Sequence, residues 1–583
     1  MKEFTATFLV NDPLTFAADS LRGFVAAHAD LVQPVHGGVV RAATSPEGEV
    51  AVVVGGGSGH YPAFAGWVGP GIAHGAVCGN IFASPSASQV ISVTRSADNG
   101  AGTLLLFGNY AGDCLQFGQG AKALAEEGID ARIVTISDDV ASGKPDKHHE
   151  RRGIAGDLIV AKVAGAAAAR GDNLDQVEAL AWRSDDLTRS LGIAFSGPTL
   201  PGATEPLFEV ADGTYELGLG IHGEPGLSSH QLVGATEVAQ RLVSGVLAEE
   251  PERGKDGYHG RVAVIVNGLG AAKYEELFVL YGDIAELLEQ AGLTIVAPVV
   301  DEAVTSLDMA GVSLTVCFLD EELEELWTAP AYTPAFTRGQ VDGASLSGAR
   351  REVKDAAAAQ ITPGAESSVA QARRVTELLD LVARTCKANA ESLGQLGSIA
   401  RDGDHGQGMV LGATAAASAA HTALEAKVGA ATLLTLAGQA WAEGAGGTSG
   451  ALWGRALETI ASRLSDETQT DDGDLVQAVA AGARAVAEFG GAEVGGAEVG
   501  DKTMVDATEP FVQAMSEAGT DLASAFRDAA EIATQAAAST ADMAARKGRA
   551  KTHGDASLGH PDPGAVSFSQ IVTAISQELA TRS

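Results

Sequence analysis

Two parts of the chain differ in how hydrophobic and polar positions alternate. Residues 1–335 alternate short apolar, β-branched runs with helical runs. The strand candidates are VAVVV (50–54), TLLLF (103–107), RIVTI (132–136), VAVIV (262–266), LTIVA (293–297) and SLTVCFL (313–319). Several of these segments end directly at Gly or Asn, which is typical of the strand–turn–helix units of a parallel α/β sheet. A break at GPTLPGATE (197–205) predicts two α/β subdomains, about 1–197 and 198–335.

The second part has a helical pattern almost throughout. Ala- and Leu-rich stretches at helical spacing cover 369–392, 409–421, 431–443 and 522–543, and β-branched runs nearly vanish. This periodicity predicts an all-α domain over 369–583. Between the two parts, residues 336–368 lack periodicity and are rich in Gly, Ser and charged residues. They are interpreted as an interdomain linker.

Composition narrows the functional class. The 583 residues carry a net charge of −36, which argues against nucleic-acid or anionic-membrane partners because these need clustered Lys and Arg. The four cysteines form no CxxC pair, so neither a disulfide framework nor a zinc site is indicated. The N-terminal residues form no signal peptide, and no apolar run reaches the length of about 18 residues that a membrane span needs. We expect a cytoplasmic protein without membrane contact.

Glycine-framed polar side chains follow three segments of the α/β part. The segments are GGGSGH (55–60), GNYAGD (108–113) and GLGIHGEPG (218–226). Ser58 and His60 would lie at the end of a strand, and Asp113 could accept a proton from a substrate hydroxyl. His222 could be a base, a ligand or a nucleophile. Taken singly, they leave open a tight turn, a helix N-cap and a structural histidine; together they favour a site for a small polyol or carbonyl compound.

Three polar segments of the helical part suit a phosphorylated ligand and a cation. They are RDGDHGQGM (401–409), GGTSGALWG (446–454) and GRAKTHGDASLGHPDPG (548–564). Asp402 and Asp404 suit a divalent cation, and the Gly-Gly-Thr-Ser-Gly turn offers amides and hydroxyls to phosphate. An N-cap, a plain helix start and a solvated connector remain open alternatives. Phosphoryl transfer would require the two parts to meet.

These motifs, in this order, resemble the ATP-dependent dihydroxyacetone kinase family over almost the whole chain. The α/β part is similar to its ketose-binding domain through GGGSGHYPAFAGWVGPG, NYAGDCLQFGQGAK, SDDVA, RRGIAGDLIVAKVAGAAA and GLGIHGEPG, among others. The helical part is similar to its nucleotide-binding domain, a barrel of amphipathic helices, through DGDHGQGM, GGTSGALWG, DKTMVDATEP and GRAKTHGDASLGHPDPGAVS.

The resemblance implies a role for each matching residue. His222 would add to the substrate ketone as a hemiaminal, while His60 and Asp113 would polarise and deprotonate the hydroxyl that attacks ATP. The ketose would also lie against Gly57, Ser58, Gly59 and Gly108. Asp402 and Asp404 would hold Mg²⁺. The nucleotide would be surrounded by His405, Gly406, Gln407, Gly408, Thr448, Ser449, Met504, Arg549, Asp562, Pro563 and Gly564. Fused members of the family work as homodimers.

Two departures from the family pattern change these expectations. Gly108 stands where a Lys is usual, which would enlarge the site and favour four-carbon erythrulose beside or instead of dihydroxyacetone. Gly397 stands where the first of three metal-binding aspartates is usual, with Arg401 beside the remaining two, so we expect weaker Mg²⁺ binding. The alternatives are a catalytically impaired or regulatory ketose-binding homologue and a lyase that cyclises nucleotides such as FAD.

Overall fold

The computed structural model describes residues 7–224, 226–339, 352, 362–399, 403–492, 497–547 and 557–582. The chain divides into two compact units, Met1–Ala356 and Ala357–Ser583. The segment interpreted as a linker lies largely outside the described residues. Its ends belong to regular elements, because a strand covers Thr337–Arg338 and a helix begins at Glu366.

The first unit begins with a six-stranded sheet in the order β1-β2-β4-β3-β5-β6. Its strands are Val32–Val35 (β1), Gly38–Arg41 (β2), Ala51–Ser58 (β3), Gly75–Ile81 (β4), Thr103–Gly108 (β5) and Ala131–Ile136 (β6). The four strands β3 to β6 pair in parallel, whereas β1 and β2 pair antiparallel. The accompanying helices are Phe16–Ala27 (α1), Ala87–Ala97 (α2), Ala111–Glu126 (α3), Gly156–Arg170 (α4) and Leu174–Asp186 (α5). The predicted parallel arrangement is confirmed for the centre of this sheet.

A second six-stranded sheet follows in the order β11-β10-β12-β7-β8-β9. Its strands are Thr188–Ala194 (β7), Thr214–Leu217 (β8), Ser228–Gln231 (β9), Arg261–Gly268 (β10), Thr294–Asp301 (β11) and Gly311–Leu319 (β12). Only β10 and β11 pair in parallel, so the expectation of a parallel sheet is wrong here. Every residue of β12 is buried, which explains its continuous apolar run. Burial on both faces does not determine whether a strand pairs in parallel or antiparallel. Since β7 precedes residue 197, this sheet begins before the expected subdomain boundary.

In its described residues, the first unit also contains three further α-helices and two short strands. They are the helices Ala235–Leu247 (α6), Tyr274–Gln290 (α7) and Glu321–Thr328 (α8) and the short strands Ala331–Tyr332 (β13) and Thr337–Arg338 (β14). Helices α6 and α7 pack against each other and against strands of the sheet, and their apolar side chains join one buried cluster with those strands. The α/β class predicted for this part is confirmed.

The second unit consists of helices in its described parts. They are Glu366–Ile399 (α9), His405–Glu425 (α10), Ala430–Ala445 (α11), Gly447–Ala461 (α12), Asp472–Ala492 (α13), Val505–Glu517 (α14), Leu522–Ser539 (α15) and Pro563–Arg582 (α16). Each helix packs against the next, and α16 packs against α9, which closes the ring. The ring encloses an apolar cavity of about 680 Å³. The predicted all-helical barrel is therefore confirmed.

None of the described helices combines the length and the apolar character that a membrane crossing needs.

Candidate active site

His60 lies just beyond the carboxyl end of β3, where the backbone turns sharply. Gly59 has φ of +101°, a conformation that residues with a side chain rarely adopt, so this position favours glycine. The His60 side chain is buried, and its ring stacks on Phe82 with 5.0 Å between centroids. His60 Nδ1 lies 2.8 Å from the carbonyl oxygen of Thr305 and donates its proton there. The ring therefore presents its other nitrogen, Nε2, to the site.

His222 meets His60 from the loop that follows β8. The two Nε2 atoms are 3.0 Å apart, and the rings lie edge to face with centroids 4.8 Å apart. The other ring nitrogen of His222, Nδ1, lies 3.0 Å from Oε1 of Glu224. The Glu224 carboxylate also accepts the backbone N–H of His222, at 3.0 Å. Both histidines of the sequence-based hypothesis thus belong to one hydrogen-bonded chain.

The hydrogen bonds of this chain determine how many protons it holds. With one proton on His222 Nδ1 and one on His60 Nδ1, the contact between the two Nε2 atoms is a hydrogen bond only if a third proton lies between them, and the two rings then share a single positive charge. Burial, together with nearby His222, lowers the pKa of His60 to about 3. Burial alone would raise the pKa of Glu224, but His222 and Arg152 outweigh it and hold that pKa well below its usual range. Glu224 is therefore an anion that balances the shared proton.

Glu224 and its partners were not found by sequence reasoning. Arg152 Nη1 lies 3.9 Å from Oε2 of Glu224, and Arg152 also donates to Oδ2 of Asp139 from Nη2 at 2.7 Å and from Nε at 3.1 Å. Asp139, Arg152 and Glu224 are all nearly buried. The available clue was that each belongs to a segment already singled out, SDDVA, RRGIAGD and GLGIHGEPG.

Tyr110, two residues after the end of β5, contacts His222. The Tyr110 ring lies edge to face with His222 at 4.7 Å between centroids, and its hydroxyl donates to the Gly153 carbonyl at 3.0 Å. A Cβ atom on Gly108 would lie 3.1 Å from Cε2 of Tyr110, so the position has little room for a side chain unless this ring moves. Asp113 lies in the first turn of α3 and is buried. Along the sequence, Gly108 and Asp113 lie on either side of the tyrosine that contacts His222.

The last two residues of β3, Gly57 and Ser58, contact neighbouring backbone segments. The Ser58 hydroxyl donates to the Gly79 carbonyl at 2.6 Å, which leaves its oxygen as an acceptor. A Cβ atom on Gly57 would lie 2.9 Å from the backbone nitrogen of Ala83, so the close approach of two backbone segments requires glycine here. A cavity of about 320 Å³ lies against residues 57–59.

In the second unit, His405 joins the beginnings of three helices. It is the first residue of α10, and its Nε2 lies 2.9 Å from the Ser567 hydroxyl in the first turns of α16. Its Nδ1 lies 3.5 Å from the hydroxyl of Ser449 in the first turn of α12. Free N–H groups and the positive end of the helix dipole make such helix starts suited to phosphate.

A fourth helix start adjoins these. Met504 is the N-cap of α14, and a Cβ atom on Gly564 would lie 3.3 Å from the Met504 Cβ. Asp562 Oδ1 accepts the N–H of Ala565 at 2.7 Å and so caps α16. Burial raises the pKa of Asp562 to about 7, against the opposing effect of Lys502. Lys502, which sequence reasoning did not single out, donates to the carbonyl oxygens of Met543 and Ser557.

The other described residues expected at the nucleotide lie in the first turns of helices. Gln407, Gly408 and Thr448 lie in the first turns of α10 and α12, and Pro563 is the first residue of α16. Gly406 packs against α9, because a Cβ atom there would lie 2.0 Å from the Ala390 carbonyl oxygen.

The expected metal-binding residues are only partly described. Asp404 is the N-cap of α10, and Gly397 is buried near the end of α9. Asp402, Arg401 and Arg549 lie outside the described residues. The helix starts and the carboxylate of Asp404 have the chemistry that a Mg²⁺–nucleotide needs.

Comparisons with known proteins place this geometry in a family. The Dak1 domain matches residues 22–335, and the DAK2 domain matches residues 399–577. The chain is 54% identical to L-erythrulose 1-kinase of Mycolicibacterium smegmatis over 98% of this chain and 100% of that protein. It is 48% identical to L-erythrulose kinase of Pectobacterium atrosepticum over 98% of this chain and 96% of that protein.

A solved structure agrees with both units. The dihydroxyacetone kinase of C. freundii, in complex with AMP-PNP and Mg²⁺, aligns with a TM-score of 0.53 at 29% identity, over 98% of this chain and 100% of that one. Similarity therefore extends over both halves of the chain and not only over one domain. The chain belongs to the dihydroxyacetone kinase family, with Dak1 and DAK2 domains fused in one polypeptide, and is a phosphotransferase with an alcohol acceptor.

Proposed function

We propose that the protein uses ATP to phosphorylate a terminal hydroxyl of a small ketose, erythrulose or dihydroxyacetone, held as a hemiaminal on His222. The observation that carries this proposal is the buried chain from Glu224 through His222 and His60 to the Thr305 carbonyl. An imidazole nitrogen can add to a ketone but not to an alcohol. This pair of histidines can therefore distinguish ketoses from polyols such as glycerol. The names of the relatives support the same substrate class.

The protons of the chain balance the covalent step. The shared proton moves to His60 Nε2, which frees the lone pair of His222 Nε2 to form a bond to the ketone carbon. The π electrons of the carbonyl pass to its oxygen, and that oxygen takes the proton from His60. Because burial depresses the pKa of His60, this ring gives up a proton readily. The alkylated His222 ring remains cationic, with Nδ1–H on the Glu224 carboxylate.

After this step, the same residues are suited to activate the hydroxyl. His60 is neutral again, with Nδ1–H on Thr305 and an open Nε2. Asp113, buried in the first turn of α3, supplies a carboxylate as second acceptor for the hydroxyl proton. Mg²⁺ would be held by Asp402 and Asp404, and it neutralises charge on the nucleotide phosphates. The helix starts around His405 and Ser449 would bind those phosphates.

The test is carbon NMR with dihydroxyacetone labelled at the carbonyl carbon. On binding to the full chain without nucleotide, the carbonyl resonance should lose intensity and a resonance of a tetrahedral carbon should appear. His222→Asn should abolish the new resonance, whereas His421→Ala, which removes an exposed histidine paired with Asp380, should keep it. A labelled ketose that binds the wild type without a tetrahedral carbon would refute the covalent mechanism.

We propose that Gly108 and Tyr110 make the site favour a four-carbon ketose. The Cβ atom of a lysine at 108 would crowd the Tyr110 ring, which contacts His222. Gly108→Lys should therefore lower kcat/KM for erythrulose relative to dihydroxyacetone by about tenfold, equivalent to about 1.4 kcal/mol. Gly108→Ala separates crowding by the Cβ atom from the effect of the long cation. An unchanged ratio of the two kcat/KM values in Gly108→Lys would contradict this assignment.

The alternatives have weaker support. A regulatory homologue would not need the complete chain of Glu224, His222 and His60, and relatives aligned over the full length are named as kinases. No observation favours nucleotide cyclisation over the kinase reaction. The homodimer implied by the family stays a prediction, which light scattering of the full chain would test.

A further inference from the structure

A cluster of His and Asp side chains, which are residue types that ligate metal ions, lies in the first unit. It is separate from the hydrogen-bonded chain of Glu224, His222 and His60. His148 and His149 belong to a short 3₁₀ helix, Pro145–Glu150, and Asp185 and Asp186 end α5. One ligand atom from each of these four residues lies within 4.8 Å of the others. None of them has a role in the phosphotransfer described above.

Three of the separations within the cluster, all of which are at most 4.8 Å, are close to those of tetrahedral coordination. His148 Nε2 lies 3.5 Å from Asp185 Oδ2 and 4.0 Å from Asp186 Oδ1, and His149 Nε2 lies 3.5 Å from Asp186 Oδ1. A tetrahedral ion with metal–ligand bonds of about 2.1 Å separates its ligands by about 3.4 Å. The observed gaps are too long for hydrogen bonds and close to the edges of such a tetrahedron. Small rotations of the two exposed side chains, His149 and Asp186, would complete it.

His148 lacks hydrogen-bond partners in the described part of the chain, whereas Ser137 holds the carboxylate of Asp185. Both ring nitrogens of His148 are buried, and neither has a hydrogen-bond partner among the described residues. Asp185 is fully buried, and its carboxylate is oriented by the N–H and hydroxyl of Ser137, at 2.8 and 2.7 Å. Such support of a ligating carboxylate is a common feature of metal sites. A cation would satisfy His148 without displacing either bond to Ser137.

The negative charge at the carboxyl end of α5 also favours a bound cation. Two aspartates at the carboxyl end of α5 add to the negative end of the helix dipole, an unfavourable combination that a bound cation offsets. Two imidazole nitrogens and two carboxylate oxygens suit Zn²⁺ and other late first-row divalent ions. Mg²⁺ and Ca²⁺ prefer oxygen ligands, so this cluster differs in kind from the aspartates expected at the nucleotide.

We propose that His148, His149, Asp185 and Asp186 bind one Zn²⁺-like divalent cation, which fixes the segment 145–150 to α5. This segment adjoins the candidate active site. The Asn109 side chain, between Gly108 and Tyr110, donates to the His149 carbonyl at 2.9 Å and to the Arg151 carbonyl at 2.8 Å. The metal would thus stabilise the support of the loop that carries Tyr110.

The experiment is a titration of the untagged, chelator-treated full chain with Co²⁺, in excess Mg²⁺ and without nucleotide. Visible d–d absorption reports tetrahedral coordination, and Zn²⁺ is then added as competitor. His149→Ala and Asp186→Asn are the informative variants, because both side chains are largely exposed and their loss should leave the fold intact. His421→Ala is the matched control, since it removes an exposed histidine from a pair with one aspartate in the second unit.

The wild type and His421→Ala should bind one equivalent of Co²⁺ that Zn²⁺ displaces. The affinity should fall at least about fivefold in each informative variant, because each loses a direct ligand. Zn²⁺ should also raise the Tm of the wild type more than that of either variant. The absence of saturable binding in the wild type, or a smaller fall in affinity in either variant, would overturn the proposal.

Discussion

Single residues around His222 determine whether its ring can act. Nδ1 of His222 faces Glu224 at 3.0 Å, and Arg152, which is paired with Asp139, lies beside that carboxylate. A buried anion at this place fixes which nitrogen carries a proton and stabilises the cation that forms when Nε2 is alkylated. Glu224 therefore acts through His222 as a positioning residue.

Replacing Glu224 by Gln tests this role. Loss of a buried hydrogen bond to a charged group should cost about 2–3 kcal/mol, or roughly a hundredfold in kcat/KM for erythrulose. The labelled ketose should also form less of the tetrahedral adduct. Glu237→Gln, which removes an exposed partner of Arg241, is the control. A kcat/KM within about threefold of the wild-type value would show that Glu224 is not required.

At the scale of elements, the starts of helices set the geometry of the second unit. Helices α10, α12, α14 and α16 adjoin one another through His405, Ser449, Met504 and their neighbours. Glycines at these starts serve different purposes. Gly406 allows α10 to approach the backbone of α9, whereas a Cβ atom on Gly408 would meet open space.

Two alanine substitutions distinguish these purposes. Gly406→Ala should lower stability by about 1–3 kcal/mol, because its Cβ atom would overlap the Ala390 carbonyl. Gly408→Ala should raise stability by about 0.5–1 kcal/mol, because alanine is the better helix former. Calorimetric Tm values of the two variants provide the measurement. Equal shifts in the two variants would contradict the packing assigned to α9 and α10.

The cap of α16 should make stability depend on pH. Burial raises the pKa of Asp562 from 3.8 to about 7, so the folded chain holds a proton that the unfolded chain releases. This contribution is fully present below pH 3.8 and is lost as pH rises through about 7. Asp562→Asn should flatten the fall in Tm between about pH 5 and about pH 7. A slope identical to that of the wild type would disprove this assignment.

On the scale of the whole molecule, the chain folds as two compact units, each with its own core. The candidate ketose residues belong to the first unit and the candidate nucleotide residues to the second. A ligand stabilises the unit that binds it by mass action. The two ligands should consequently act on different parts of the unfolding curve.

Calorimetry of the full chain should resolve two unfolding transitions. Dihydroxyacetone without nucleotide should shift only one of them, and Mg²⁺–ATP without ketose should shift only the other. His222→Asn should remove the shift by dihydroxyacetone and keep the shift by nucleotide. One transition that both ligands shift equally would argue against independent units.

The net charge of −36 gives the metal a further role at this scale. An acidic protein repels a free nucleotide, so binding depends on cations close to the phosphates. Gly397, at the usual place of an aspartate, removes one carboxylate from that environment. The expectation of weak Mg²⁺ binding follows from this position and from the positive charge of Arg401 beside the remaining two aspartates.

Sequence alone determined the order of the two classes of fold, because periodicities of 2 and 3.6 residues are local properties. It also singled out His60, Asp113 and His222 as candidates, because glycines frame each of them in short segments. Tertiary structure decided the antiparallel order of the second sheet and the juxtaposition of His60 with His222, 162 positions apart. The pairs Arg152–Glu224 and His148–Asp185 likewise bring distant segments of the chain together. No local pattern encodes such pairs, since hydrogen bonds and charges act through space once the chain has folded.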